Sequence, residues 1–440
     1  MTKKFISNQN LNNNISVLVP PARSVPVKIT KSFFRKNGHH LDKYGAVENF
    51  SKDLSLILKL KEGYPQKVVA IYGSARISDK FYKNLADISY ELGYKLGKKR
   101  YIISTGGGPG IMEYASKGAV DANSLALGFQ PKFLEEVEKP IQMKNKIQYF
   151  VSSLHSRKIL IANNAAALVF FPGGAGTVDE FFHYLNFSAN GRMKNIPFIL
   201  FNNTFWEGLI KWINLYLVQT GFLKKEALNN VFLVNNTKEA IKVIEKNSNY
   251  FYTPDFHGLS SSFKQDILQI YNYVEQFSHP SASYFGSLTS NYKYSRIKNL
   301  IEKITSILQK NNHSIYYSAL NGFASFMDKL ALKGLKSKNI SNLNIPIGLQ
   351  ETQKLILGTS DTLIFYPGGL DVIDAFTEYV VRIQIGDMEK VPLNLVDPSF
   401  FGSYLQWFEK FPVNYGFAEK ELITMCNIVS KPDQIILSSY

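Results

Sequence analysis

The chain has 440 residues and one cysteine, Cys426. A lone cysteine excludes an intrachain disulfide and any cysteine-based zinc site. It suits a reducing compartment, so a cytoplasmic location is expected. No stretch approaches the roughly 18 continuous apolar residues that a spanning helix needs, so no membrane partner is expected. The N-terminus, MTKKFISNQNLNNNISVLVPPARS, is basic and then Asn-rich, without the apolar core of a secretory signal. Histidine is sparse, and the adjacent His39 and His40 lack ligand spacing around them, so no metal is expected. Acidic residues are the scarcer charge: 35 Asp or Glu against 50 Lys or Arg leave a formal net charge of +15. Residues 1–45 carry eight basic residues and one acidic. That leader lacks interleaved aromatics and any nucleic-acid motif, so a solvated tail is the better reading and nucleic acid the weaker one. A basic body also steers anionic small molecules toward it. Apolar residues at 45% and charged residues at 19% describe a globular chain rather than a disordered one.

What is present is a pattern that occurs twice. FSKDL at residue 50 is echoed by FKQDI at residue 263, and IYGSAR at 71 by YFGSLT at 284; both pairs are 213 residues apart. IMEYASKG at 111 resembles FMDKLALKG at 326, and ALGFQ at 126 resembles PIGLQ at 346. RKILIANNAAALVFFPGG at 157 resembles QKLILGTSDTLIFYPGG at 353, and NNTFWEGLIKW at 202 resembles DPSFFGSYLQW at 397. The order is kept throughout, which marks a tandem duplication. Within the first copy, KVVAIYG, RYIIST, SLALGF, AALVFF, IPFILFN and VFLVN read as short apolar strands. Longer amphipathic stretches lie between them. Alternating strand and helix predicts two tandem Rossmann-like, doubly wound α/β units with parallel sheets. The expected divisions are a basic extension over 1–46, a first domain over 47–250 and a second over 257–440.

Two glycine-rich turns, STGGGPGIM (104–112) and PGGAGTVDE (172–180), each run from a predicted strand into a predicted helix. In such sheets ligands bind beyond the carboxyl ends of the strands. Glycine lets backbone N–H groups approach a ligand, and the following helix offers unpaired N–H groups and a positive dipole end. Candidate anion-binding residues are therefore Gly73, Ser74, Gly106, Gly107, Gly108, Gly110, Gly173, Gly174, Gly176 and Thr177. The turns carry neither the G-x-G-x-x-G spacing nor a following GKS or GKT, which argues against a nicotinamide dehydrogenase and a P-loop enzyme. Glu180 lies one turn into the second of these helices. It reads either as a helix-dipole carboxylate or as a catalytic group that stabilises an oxocarbenium-like state and orients water. Arg157 and Lys158 read either as a surface basic pair or as a fork that grips the substrate.

STGGGPGIMEYASKGA, the Arg157–Lys158 pair and PGGAGTVDE together resemble the LOG (Lonely Guy) family, whose signature is P-G-G-x-G-T-x-x-E. The likeness covers about residues 47–247 well and 257–440 more faintly. It implies a Rossmann-like enzyme that hydrolyses the N-glycosidic bond of a nucleoside 5′-monophosphate, giving free base and ribose 5-phosphate without a cofactor. By that resemblance Arg157 and Glu180 are the catalytic pair, and Lys158 and the signature backbone bind the nucleotide. Two departures bear on substrate choice. Phe133, with Glu135 and Glu136 beyond it, stands where the family often has an acidic residue, and Asn186 stands where it has a Thr. A lysine decarboxylase finds no support, because no lysine context for a pyridoxal Schiff base is recognisable.

The second copy keeps Pro-Gly-Gly and loses the rest. Gln353 replaces Arg157; Asp371, Val372 and Ala375 replace Gly176, Thr177 and Glu180; and SALNGFASFMD replaces STGGGPGIME. The interval before the Arg-Lys position also shortens, measured from GFQ and GLQ. These losses fall on the ligand edge, so the second unit is expected to be a pseudo-domain. By the resemblance to dimeric LOG proteins, the two units are expected to form an internal pseudo-dimer, with further homo-oligomerisation left open. The competing reading is a nucleotide-binding sensor or scaffold that performs no chemistry.

Overall fold

The computed structural model describes residues 66–76, 83–132, 142–252 (except 194 and 248), 280–288, 294–320, 337–339 and 360–438 (except 387). Scattered positions between 53 and 64, between 323 and 330, and at 357–358 are also described. All of them lie in the unit Asp42–Tyr440. The basic leader, Phe133, Glu135, Glu136, Gln353 and the PIGLQ segment fall outside the described residues.

The first strand, β1 (Val68–Tyr72, VVAIY), is buried at every position. A short continuous apolar run of this kind suits a parallel strand covered on both faces. It is followed by α1 (Lys83–Lys98), β2 (Ile102–Thr105), α2 (Ile111–Asp121), β3 (Ala126–Pro131), β4 (Lys146–Val151), α3 (Leu154–Ile161) and β5 (Ala165–Phe170). Then come α4 (Ala175–Ala189), β6 (Phe198–Phe201), α5 (Asn203–Ile213), β7 (Val231–Val234) and α6 (Thr237–Lys246). The seven strands are parallel and lie in the order β4-β3-β2-β1-β5-β6-β7. The chain winds outward from β1 to β4 and then restarts at β5 on the other side of β1. The topological switch point is thus between β1 and β5, where a crevice opens at the carboxyl ends of the strands.

The second half repeats the plan with β8 (Ser281–Ser287), α7 (Tyr294–Lys310), β9 (Ser314–Leu320), β10 (Ser337–Asn339), β11 (Thr362–Phe365) and α8 (Leu370–Gln384). It ends with β12 (Leu393–Val396), α9 (Ser403–Phe408), α10 (Glu421–Thr424) and β13 (Cys426–Val429). Its parallel sheet runs β10-β9-β8-β11-β12-β13, the same order without a described counterpart of β4. Two tandem doubly wound units are therefore present. β4 was absent from the expected strands, although KIQYFV alternates apolar Ile147, Tyr149 and Val151 in the manner of an edge strand. The third strand of the second sheet is Ser337–Asn339, nearer the N-terminus than the ALGFQ-like segment at 346 suggested.

The halves meet with approximate two-fold symmetry. Trp212 Nε1 donates to the Phe400 carbonyl at 3.0 Å, and Trp407 Nε1 donates to the Phe205 carbonyl at 3.0 Å. Each donor and each acceptor is 195 residues from its counterpart, so the contact is reciprocal, as a two-fold interface requires. Asn202 and Asp397, also paired by the repeat, both hold positive φ, 75° and 85°, and both cap the element that follows. Asn and Asp tolerate that region because their short polar side chains bond locally. Helix α4 packs against α8 across the same interface.

Candidate active site

The loops after β1, β2 and β5 close on one another at the switch point. Ser74 N–H donates to the Pro172 carbonyl at 3.2 Å, and Ile111 N–H donates to the Ser74 carbonyl at 3.1 Å. Gly107 and Gly110 hold φ of 78° and 71°, where a side chain is strained, and a Cβ at Gly110 would overlap the Ser74 carbonyl oxygen. Gly73, Ser74, Gly106, Gly107, Gly108, Gly110, Gly173 and Gly174 thus lie on three adjoining loops, with Gly176 and Thr177 in the first turn of α4. The helices starting there, α2 after Gly110 and α4 after Gly174, have no side-chain cap. By contrast α3, α5 and α6 are capped by Ser153, Asn202 and Asn236. Two helix N-termini without side-chain caps, linked through Ser74, are of the kind that suits an anion. The Thr177 hydroxyl sits against Gly173, at the same edge.

Arg157 stands on α3 and Glu180 on α4. Arg157 Nη1 lies 3.6 Å from Glu180 Oε1, with the side chains 15% and 9% exposed. Arg157 Nε donates to the Phe129 carbonyl within β3, 3.2 Å away, and Nη2 rests near Met112 Sδ at 3.9 Å. A Cβ at Gly106 would overlap Nη2, so the absence of a side chain at Gly106 makes room for the guanidinium. Tyr72 and Tyr184 flank the carboxylate. Burial holds both phenols well above their usual range, and the Glu180 charge pushes them the same way while Arg157 opposes it. The Tyr184 hydroxyl also donates to the Lys158 carbonyl at 2.6 Å, tying α4 to α3.

Two further groups hold this arrangement. Asp53, the Asp of FSKDL, accepts from Ser152 N–H at 2.9 Å and Ser153 N–H at 3.1 Å, directly before α3. Burial raises its carboxyl above the usual value, while hydrogen bonds led by that of Ser156 pull the other way. Nothing in the spacing of FSKDL indicated this role; its reappearance as FKQDI was the available signal. Lys158 is directed to the inter-repeat contact. Its Nζ lies 2.6 Å from Asp179 Oδ2 and 3.5 Å from Glu378 Oε2, all three side chains being buried. Asn186 also faces the second repeat, donating to Asp374 Oδ2 at 3.3 Å. Asp179, Asp374 and Glu378 bring ligand atoms within 4.8 Å of one another, the one cluster of metal-ligand type among the described residues. The Lys158 ammonium already supplies its cation.

Among the described residues, the second repeat approaches the loops after β1 and β5 through Phe417 and Glu419. A Cβ at Gly174 would overlap the Phe417 carbonyl, and Arg76 Nη2 pairs with Glu419 Oε1 at 3.1 Å. Its own edge is altered. Ser287 N–H still donates to the Pro367 carbonyl at 3.2 Å, matching Ser74 and Pro172. Above Gly368, however, stands the Val372 methyl where Thr177 holds a hydroxyl. Buried Phe323 packs against Gly286 and Tyr366, and Asp371 lies in the first turn of α8, opposing an anion.

The family model described as "Possible lysine decarboxylase" matches residues 112–244 and again 306–438. The chain belongs to that family, the LOG family. Curated LOG relatives include the probable cytokinin riboside 5′-monophosphate phosphoribohydrolase LOGL2 of Oryza sativa subsp. japonica. It is 26% identical over 49% of this chain and 84% of its own length. The cytokinin riboside 5′-monophosphate phosphoribohydrolase of Rhodococcoides fascians is 27% identical over 33% of this chain and 73% of its own. Among solved structures, the molybdenum cofactor binding protein of Rippkaea orientalis aligns with a TM-score of 0.33 at 19% identity. The alignment covers 42% of this chain and 98% of that one. Both of these curated relatives are named as phosphoribohydrolases. Among the described residues, no helix is long and apolar enough to cross a membrane.

Proposed function

We propose that the chain hydrolyses the N-glycosidic bond of a nucleoside 5′-monophosphate, AMP or a cytokinin-type AMP derivative. Water is consumed, and free base and ribose 5-phosphate are released. The observation that carries this reading is the Arg157–Glu180 pair, nearly buried and 3.6 Å apart, beside two uncapped helix N-termini. The phosphate would sit on the N–H groups of α2 and α4, with Thr177 adding a hydroxyl. Charge-assisted hydrogen bonds there contribute about 1.5–3 kcal/mol each. The Glu180 carboxylate would face the anomeric carbon, stabilise the oxocarbenium-like transition state and orient the attacking water, extending to N-ribosides the role carboxylates play at glycosides. Arg157 would hold that carboxylate in place.

The second repeat would stand in for the second subunit of a dimer, which the reciprocal Trp212 and Trp407 contacts support. With Val372, Asp371 and Phe323 at its edge, it would carry no working site of its own.

The test is base release. Wild type and Glu180→Gln are incubated with AMP, GMP, CMP, IMP and N6-isopentenyl AMP, and free base is resolved by chromatography. Release by wild type that falls at least ~100-fold in the variant supports the assignment. Binding without release from any nucleotide would overturn it and leave a nucleotide sensor.

A further inference from the structure

We infer that Glu378, contributed by the degenerate second repeat, is a positioning residue for the Arg157–Glu180 pair of the first, acting through Lys158 and Asp179. This rests on the phosphoribohydrolase reading of that pair.

Lys158 follows Arg157 on the eight-residue helix α3, and Asp179 precedes Glu180 on α4. The Lys158–Asp179 ion pair at 2.6 Å therefore joins the same two backbones that carry the catalytic pair. One contact alone leaves two helices free to rotate about it; a second, on neighbouring residues, fixes their relative angle. That second contact is completed from outside the first repeat. Glu378 Oε2 lies 3.5 Å from Lys158 Nζ, Glu378 Oε1 lies 2.9 Å from Arg382 Nη2, and the Thr377 hydroxyl donates to Asp179 Oδ1 at 3.4 Å.

The charges require all of these members. Three carboxylates, Asp179, Asp374 and Glu378, face two basic side chains, Lys158 and Arg382, with His183 Nδ1 3.5 Å from Asp374. Glu378 and Lys158 are about 5% exposed, so water does little to screen them. Without the Glu378 charge, Lys158 loses one of the two buried carboxylates beside it, and Arg382 loses its ion pair with Glu378. A buried charge deprived of a partner shifts to find another, and Glu180 directly follows Asp179, the remaining partner of Lys158, on α4. The repeat itself indicates that Glu378 is not a leftover of the ligand edge. Its counterpart 195 residues earlier is His183, also turned into this interface. The second repeat has thus lost the groups that would touch a ligand while holding Asp374 and Glu378 buried against the first.

The experiment compares wild type, Glu378→Gln, Glu378→Asp and Lys158→Met in the full-length chain, using AMP as substrate. Glu245→Gln serves as a control, because Glu245 forms an exposed pair with Lys99 far in sequence from the site. Glu378→Gln is expected to lower kcat about 10- to 100-fold, the scale of a sub-ångström to ångström misplacement, with KM changed less than about threefold. The proposed phosphate grip, made by backbone N–H groups and the Thr177 hydroxyl, uses none of the network's side chains. Lys158→Met should show the same kcat-only loss. If instead its KM rises at constant kcat, Lys158 binds the nucleotide and the inference fails. Glu378→Asp keeps the charge with a shorter reach and should recover part of kcat; it also serves if the Gln variant does not fold.

A readout without turnover is the ¹⁵N resonance of the Arg157 Nε–H, which is bonded to the Phe129 carbonyl. It should move in Glu378→Gln and stay in Glu245→Gln. No base release by wild type would refute the enzymatic reading alone. An unmoved resonance, or undiminished kcat in Glu378→Gln, would refute the positioning role.

Discussion

Gly106→Ala is the sharpest single perturbation the site offers. The backbone at Gly106 is not in the left-handed region, so alanine can adopt it. Its methyl would, however, occupy the position of Arg157 Nη2 and press on Met112 Sδ at 2.9 Å. Both obstacles are ends of flexible side chains, so the backbone need not move and the guanidinium swings away. Displacement removes the Nε bond to the Phe129 carbonyl and the 3.6 Å approach to Glu180. A hydrogen bond to a charged group is worth about 1.5–3 kcal/mol. At about 1.4 kcal/mol per factor of ten, losing one such interaction in the transition state predicts a fall in kcat of about 10- to 100-fold. Stability should fall by at most about 1.5–3 kcal/mol, the worth of that hydrogen bond, a Tm shift of several degrees. Base release under saturating AMP and a thermal melt measure the two quantities on one sample. Full activity would mean that Arg157 need not rest on Gly106. A Tm drop well beyond that range would mean that the backbone absorbs the clash, and either result refutes the reasoning.

Other variants separate the parts of the site. Gly174→Ala meets the backbone carbonyl of Phe417, which cannot rotate away, so it should cost at least ~2 kcal/mol in urea unfolding, as overpacking does. Gly176→Ala meets nothing within 4 Å and should melt with wild type. Thr177→Val should keep the fold, since Val372 fills the equivalent position over Gly368. It should raise KM for AMP about tenfold through loss of one donor. His313 has its pKa lowered from 6.5, chiefly by burial, against a hydrogen bond to the Asn311 carbonyl and the charge of Asp361. The unfolded chain then takes up a proton that the folded one refuses as pH falls below about 6.5. Stability should decline in that window, and His313→Gln should flatten the decline in urea titrations at stepped pH.

The legible features were those that depend on neighbours in the chain. VVAIY and AAALVF read as buried parallel strands because every position is apolar, and both are buried throughout. The glycine turns read as strand-to-helix loops because Gly107 and Gly110 meet a steric need that few residues satisfy. The internal echo showed two sheets of one plan before any coordinates. β4 was missed because a half-buried edge strand shows weak alternation rather than a solid apolar run. Asp53 was missed as a support of α3 because its partners, Ser152 and Ser153, lie about 100 residues away.

Composition, motif and repeat thus determined the fold class, the family and the strand-to-helix glycine turns, since each is set by local sterics and by apolar period. The tertiary structure decided the rest. It placed Arg157 over Gly106 and against Glu180, turned Lys158 toward Asp179 and Glu378, and packed the altered repeat across α4. Neither the direction of a side chain on a short helix nor a buried ion pair between residues some 200 positions apart is encoded in local pattern. Both are fixed only when the two sheets pack and the charges between them must find partners out of water.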